Sequence, residues 1–353
     1  MDPADFEFDF DLLRELTETS GVPGYEQRVR DVLRREFDSH ADAITTDAMG
    51  NLVATIEGAS DYSVVVAAHM DEIGFMVKHV TDAGFLKLEP LGGWDPRILR
   101  AQRVTVHTDD GDLPGVIGSS PPHTLDDEEL SKKPEIEDAY IDLGLPSEAV
   151  DERVAVGDLV TMDQETEIVG EHVSGKSVDN RVSVFALVEV ARRLDTPPVT
   201  VHLAATTQEE VGLRGAEALG ADSDADLAIS LDTTIANDVP GFDSENAVTR
   251  LGEGAGIKLK DGGVITNRKV NRRLERVATA EEIPVQREIM VAGRTDTANL
   301  QRAGGARPAG AISFPTRYLH TPVEAVHYRD VEACLDLLVA FLESETGEND
   351  YTL

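Results

Sequence analysis

Ser63-Val64-Val65-Val66-Ala67-Ala68-His69-Met70-Asp71 sets an apolar run directly before a histidine and an aspartate. A short valine-rich run of this kind reads as a strand buried on both faces, and it ends where the side chains turn polar. Two further runs have the same form. Residues 200–205 (TVHLAA) lead to the pair Glu209-Glu210, and residues 227–231 (LAISL) deliver Asp232. Residues 311–314 precede His320 by a short loop. In open α/β sheets, ligand sites form beyond the carboxyl ends of the strands, so separate strands can bring these residues to one crevice.

The remainder of the chain fits this frame. Helical periodicity is expected over residues 25–37, 180–194, 271–281 and 328–343, alternating with the strands. Between residue 76 and about residue 165 the texture changes to short β-like runs at 85–88, 103–108 and 159–162, with turn residues between them and no long helix. The pattern predicts an α/β domain interrupted by a β-rich insertion. Residues 121–134 form a polar loop expected to be mobile.

With 353 residues, 41% of them hydrophobic, the chain can bury a large core. Its 67 acidic residues against 32 Lys and Arg give a net charge of -35, spread along the whole length, and only eight of the cations are Lys. Such a surface disfavours nucleic acid and anionic membrane as partners. It also resembles that of proteins from salt-rich cytoplasm, where the Debye length shrinks to ~3 Å at about 1 M salt and self-repulsion is screened. The single cysteine, Cys334, falls in an apolar helical pattern and reads as a core residue. The acidic start (Asp2, Asp5, Glu7, Asp9) is the opposite of a secretory signal, and no apolar run nears ~18 residues. A cytoplasmic protein is expected.

The chemistry follows from the residue types. His69, Asp179, Glu210, Asp232 and His320 supply about one imidazole and one carboxylate per ion, plus one shared carboxylate, which suits two divalent cations. Two such ions carry +4 against -3 from the three carboxylates, and the remaining charge of about +1 acidifies metal-bound water into a nucleophile and polarises a carbonyl. Hydrolysis of an acyl bond is the natural outcome. Glu209, next to Glu210, can face the other way and act as general base, while Asp71 is placed to accept the second N–H of His69. Taken singly, each motif has a plainer explanation. His-x-Asp is a surface coincidence, Glu-Glu a solvated face, and Asp179 a helix N-cap; all of them at strand ends or helix starts in one chain make coincidence improbable. His202, inside a strand, reads as a satisfied core residue. His123 and His327 are loop residues within reach, and His40, His79, His107 and His172 have no partner pattern. Arg181 reads equally as a partner of a site carboxylate or as a structural ion pair.

The strings AHMDEIG (68–74), VDNR (178–181), TQEEVG (207–212), SLDT (230–233) and RYLHTP (317–322) resemble, in order and spacing, those of the tetrahedral aminopeptidases, also called deblocking or glutamyl aminopeptidase-like enzymes. The likeness covers almost the whole chain and extends to Gly293-Arg294-Thr295-Asp296, a segment near the substrate crevice. It implies a mixed-sheet, zinc-peptidase-like α/β/α catalytic domain (residues 1–71 and 166–353) with an inserted PDZ-like dimerisation domain (72–165). It also implies that His69, Asp179 and Asp232 hold one ion, that Asp179, Glu210 and His320 hold the other, and that Glu209 is the base. Zinc or cobalt suits this mixed ligation. The partners implied are short peptides and further copies of the chain, as dimers built into a tetrahedral dodecamer. Alternatives are a related di-metal deacylase or carboxypeptidase, a glycosidase that would work without metal, and a non-catalytic, metal-stabilised scaffold.

Overall fold

The computed structural model describes residues 6–127, 131–242 and 244–353, so Asp2, Asp5 and part of the polar loop at 121–134 lie outside the described residues. The strand Ser63–His69 sits inside a mixed sheet, parallel to Thr200–Thr206 on one side and Leu227–Ile235 on the other. Its side chains alternate between two cores. Val64, Val66 and Ala68 join one apolar cluster with Phe10, Phe185 and Leu338, while Val65 and Ala67 join another with Leu219 and Leu300. That alternation is the period-2 geometry of a strand covered on both faces, and it gives an α/β/α sandwich. From one edge the sheet runs Ala43–Thr46, Leu52–Ile56, Thr200–Thr206, Ser63–His69, Leu227–Ile235, Ala309–Arg317, Glu324–His327, His172–Gly175 and Glu167–Val169. Ala255–Lys260 pairs with both Ala309–Arg317 and Val285–Ile289.

Helix Val178–Arg193, whose backbone becomes regularly helical only after Asp179 and Asn180, is buried at every residue from Val178 to Ala191, and apolar residues dominate from Val182 to Ala191. A helix of that composition belongs in the interior. It packs on Ser63–His69 and Leu227–Ile235 beneath helices Phe10–Glu18 and Tyr328–Ser344. Asp9 starts the first of these helices by accepting the Leu12 N–H at 3.1 Å. Cys334 is buried, as its pattern predicted.

The β-rich insertion is a closed barrel of six strands between Gly74 and Met162, in the order Gly74–Val80, Leu86–Leu91, Ile141–Asp142, Gly111–Ile117, Gln102–Thr108, Leu159–Met162. It has its own core of Phe75, Val77, Leu88, Val106, Ile117 and Val160. Among the described residues, no helix is long and apolar enough to cross a membrane.

One boundary differs from the sequence reading in a way that matters. The strand expected to end before Asp232 continues to Ile235, with Asp232 paired to Ser313. Its pairing with the shorter Ser63–His69 stops at Ser230, while Ala309–Arg317 carries it onward. Asp232 therefore projects from the part of the strand that overhangs the crevice.

Candidate metal centre and substrate cleft

His69 is the last residue of its strand, and its Nδ1 lies 3.1 Å from the Asp71 carbonyl oxygen. A carbonyl only accepts, so Nδ1 carries the proton and Nε2 offers its lone pair. That lone pair faces Asp179 Oδ1 at 3.5 Å, Asp232 Oδ1 at 3.8 Å and Glu209 Oε2 at 4.0 Å. His320 repeats the arrangement from the opposite side. Its Nδ1 donates to the Gly93 carbonyl at 2.8 Å, and its Nε2 faces Asp179 Oδ2 and Glu210 Oε1, each at 3.6 Å. Asp179 thus stands between two imidazoles, one oxygen toward each. The barrel reaches the site through Gly93, where a Cβ would lie 3.1 Å from His320 Nδ1.

Asp71 plays a different part from the one its spacing suggested. Its Oδ1 is 3.6 Å from His69 Nδ1, beyond hydrogen-bond range, because the carboxylate accepts the N–H of Glu209 at 3.0 Å and of Glu210 at 3.1 Å. Two residues that the sequence did not single out complete that support. Asn51 Oδ1 accepts the Thr207 N–H at 3.0 Å, and Glu26 Oε1 accepts the Gln208 N–H at 3.2 Å. Four successive amides, 207 to 210, are therefore held by side-chain oxygens, which aims the two glutamates. Glu209 reaches toward His69 and Asp232, Glu210 toward Asp179 and His320.

The donor set fits divalent cations. Two atoms bound to one ion at about 2.0–2.2 Å lie roughly 3–4 Å apart, which matches the separations above and is too long for hydrogen bonds. Asp179 Oδ1 is buried without a hydrogen-bond partner, a costly state unless a cation supplies one. The titration behaviour agrees. Burial, with Asp179 close by, pushes Glu210 up to about 7, and burial raises Glu209 and Asp232 well above the usual carboxylate range. Burial opposes charge on His320, but Asp179 and Glu210 outweigh it and push the ring up to about 10. Carboxylates and imidazole alike are drawn toward protons because negative groups outnumber positive ones in the cluster.

The other sequence candidates sit elsewhere. Arg181 is fully buried and spends its guanidinium on the carbonyls of Met70, Leu16 and Thr19, with Glu72 at 3.4 Å, so it is a structural tie. His202 Nδ1 bonds Thr55 Oγ1 at 3.0 Å, and His327 accepts the Arg329 N–H to start the last helix. Asp296 is buried with Oδ2 accepting from Thr206 Oγ1 and Oδ1 unpartnered, and burial pushes it up to about 6. His69, Asp179, Glu210, Asp232 and His320 open on a cleft of about 870 Å³, also lined by Trp94, Arg294 and Leu319.

Strand-end imidazoles and carboxylates around a shared aspartate, on an α/β/α sheet, define a metal-dependent hydrolase. The family model described as M42 glutamyl aminopeptidase matches residues 50–337. The lysyl aminopeptidase of Pyrococcus furiosus is 33% identical over 350 residues, covering 98% of this chain and 99% of its own. Among solved structures, aminopeptidase APDkam598 of the archaeon Desulfurococcus kamchatkensis superposes with a TM-score of 0.92 at 38% identity, over 96% of this chain and 95% of that one. The TET1 peptidase of Pyrococcus horikoshii gives 0.86 at 32% identity, over 95% and 99%. The chain belongs to the M42 glutamyl aminopeptidase family, and its activity is that of a metal-dependent aminopeptidase.

Proposed function

We propose that the chain removes N-terminal residues from short peptides at a pair of divalent cations, zinc or cobalt, with Glu209 as general base. The observation that carries this reading is Asp179, whose two oxygens face His69 and His320 at 3.5 and 3.6 Å while Oδ1 has no hydrogen-bond partner. His69, Asp179 and Asp232 would hold one ion, and Asp179, Glu210 and His320 the other. When bound, the ions supply an acidified water and polarise the scissile carbonyl.

The protein's own groups do the rest. Glu209, whose basicity burial strengthens, takes a proton from the attacking water and returns it to the leaving amine. Asp71, Glu26 and Asn51 hold its loop rigid, and the carboxylates of the cleft attract the free amine of the peptide. Two structural units are assigned, residues 1–71 with 166–353 for catalysis and 72–165 for dimerisation. Assembly into a tetrahedral dodecamer is supported by the Pyrococcus horikoshii TET1 peptidase, which can assemble into a tetrahedron or a large octahedral shell. A cytoplasmic setting rich in salt suits the net charge of -35 and the single cysteine.

The test compares a short free peptide with its N-acetylated twin in molar KCl, before and after chelation and after zinc or cobalt is restored. Metal-dependent release of the first residue from the free peptide alone is expected. Cleavage of both peptides, or of neither by folded, metal-loaded protein, would refute the proposal.

A further inference from the structure

Asp179 and His320 lie just beyond the ends of two different strands, and one buried side chain touches both. Strand His172–Gly175 ends opposite Glu324, with Gly175 paired to it, and the chain then runs through Lys176 and Ser177 toward Asp179. Strand Ala309–Arg317 ends with Arg317 paired to Ala325, and the chain then turns through Tyr318 toward His320. Glu324 begins the short strand between them and is 2% exposed. Its Oε2 accepts the Asp179 N–H at 2.8 Å, and its Oε1 accepts the His320 N–H at 2.7 Å.

From this geometry, and resting on the two-cation reading above, we infer that Glu324 is a positioning residue that preassembles the Asp179–His320 half of the centre. A carboxylate is suited to the task because each of its oxygens accepts one amide from a different segment. The segment around His320 needs such a hold, since Tyr318 and His320 are non-glycine residues at φ +60° and +59° and would relax away from that conformation if freed. Glu324 is buried, and both of its carboxylate oxygens are taken up by the Asp179 and His320 amides. Its action therefore passes through the two ligands and not through the peptide.

Removing a residue that orients ligands typically weakens an ion by 10- to 100-fold. The experiment is calorimetric titration of the full-length, metal-stripped protein with zinc, reading the number of ions per chain and the affinity of each. Wild type is compared with Glu324→Ala, Glu324→Gln and His320→Ala, with thermal melts of the metal-free proteins alongside. Two ions are expected for wild type. In Glu324→Ala the ion that His320→Ala weakens should bind 10- to 100-fold less tightly, while the other, which meets Glu324 only through the shared Asp179, should lose less, the pattern of His320→Ala in milder form. Glu324→Gln keeps one acceptor and should fall between wild type and Glu324→Ala, which preserves the test if the alanine variant does not fold. Unchanged affinities, or an equal loss at both ions with a lowered melt, would overturn the inference. A wild-type chain that takes up one ion would overturn the two-cation reading, and this inference with it.

Discussion

Replacing Glu26 with glutamine should change how the fold responds to pH. Glu26 is 2% exposed, and its Oε1 alone accepts both amides that it holds, Gly24 at 2.7 Å and Gln208 at 3.2 Å. Burial, helped by the nearby Asp71, raises its carboxyl from 4.5 to about 7. Between those values the folded chain holds a proton that the unfolded chain has lost. The contribution of this group is therefore fully present below pH 4.5, declines as pH rises through about 7, and is absent above that. From pH 5 to pH 8 the loss comes to roughly 2–3 kcal/mol. Glu26→Gln can set its carbonyl oxygen where Oε1 lies, keep both bonds and remove the titration. Urea unfolding at pH 5 and pH 8, at one salt and one protein concentration, should show the variant gaining on wild type by that amount as pH rises. Parallel pH dependence in the two proteins would refute the assignment of a buried, raised carboxyl.

Other perturbations follow from single contacts. Lys258 and Glu288 form an ion pair with both side chains fully buried, and Thr234 is a further donor to Glu288. Lys258→Met should cost ~3–5 kcal/mol in chemical unfolding, whereas pairing it with Glu288→Leu should recover most of the loss. Gly93→Ala sets a methyl 3.1 Å from His320 Nδ1 at a residue whose φ is outside the left-handed region; roughly tenfold lower kcat with a melting temperature close to wild type is expected. With a net charge of -35, the melting temperature should climb between 0.1 M and 2 M KCl as the Debye length falls from about 10 Å to under ~3 Å, and a flat profile would count against a salt-adapted surface.

Much of the fold was legible because burial on both faces writes itself into composition. The expected strand at 63–68 was found as Ser63–His69, and the expected helix at 328–343 as Tyr328–Ser344. Helices Phe10–Glu18, Arg214–Asp222 and Thr297–Arg302 went unread. The last two are short and present only a few apolar residues, such as Leu219 and Leu300, to the sheet, so their helical period is weak. In the site, spacing brought His69, Asp179, Glu210, Asp232 and His320 into view and misjudged what Asp71 holds, because an i to i+2 relation shows proximity and not which atoms meet. Glu26, Asn51 and Glu324 could not be picked from 67 acidic residues and their neighbours by sequence alone. Their partners lie from 2 to 182 residues away and become visible only as hydrogen bonds.

The central claim is that Glu209 moves the proton while the cations are held by other residues. Glu209→Gln, loaded with zinc or cobalt to the same content per chain as wild type, should be assayed on a short peptide with a free amino terminus. The account predicts a fall in kcat of at least ~10²-fold with metal content unchanged. Turnover within about threefold of wild type at equal metal content would contradict it.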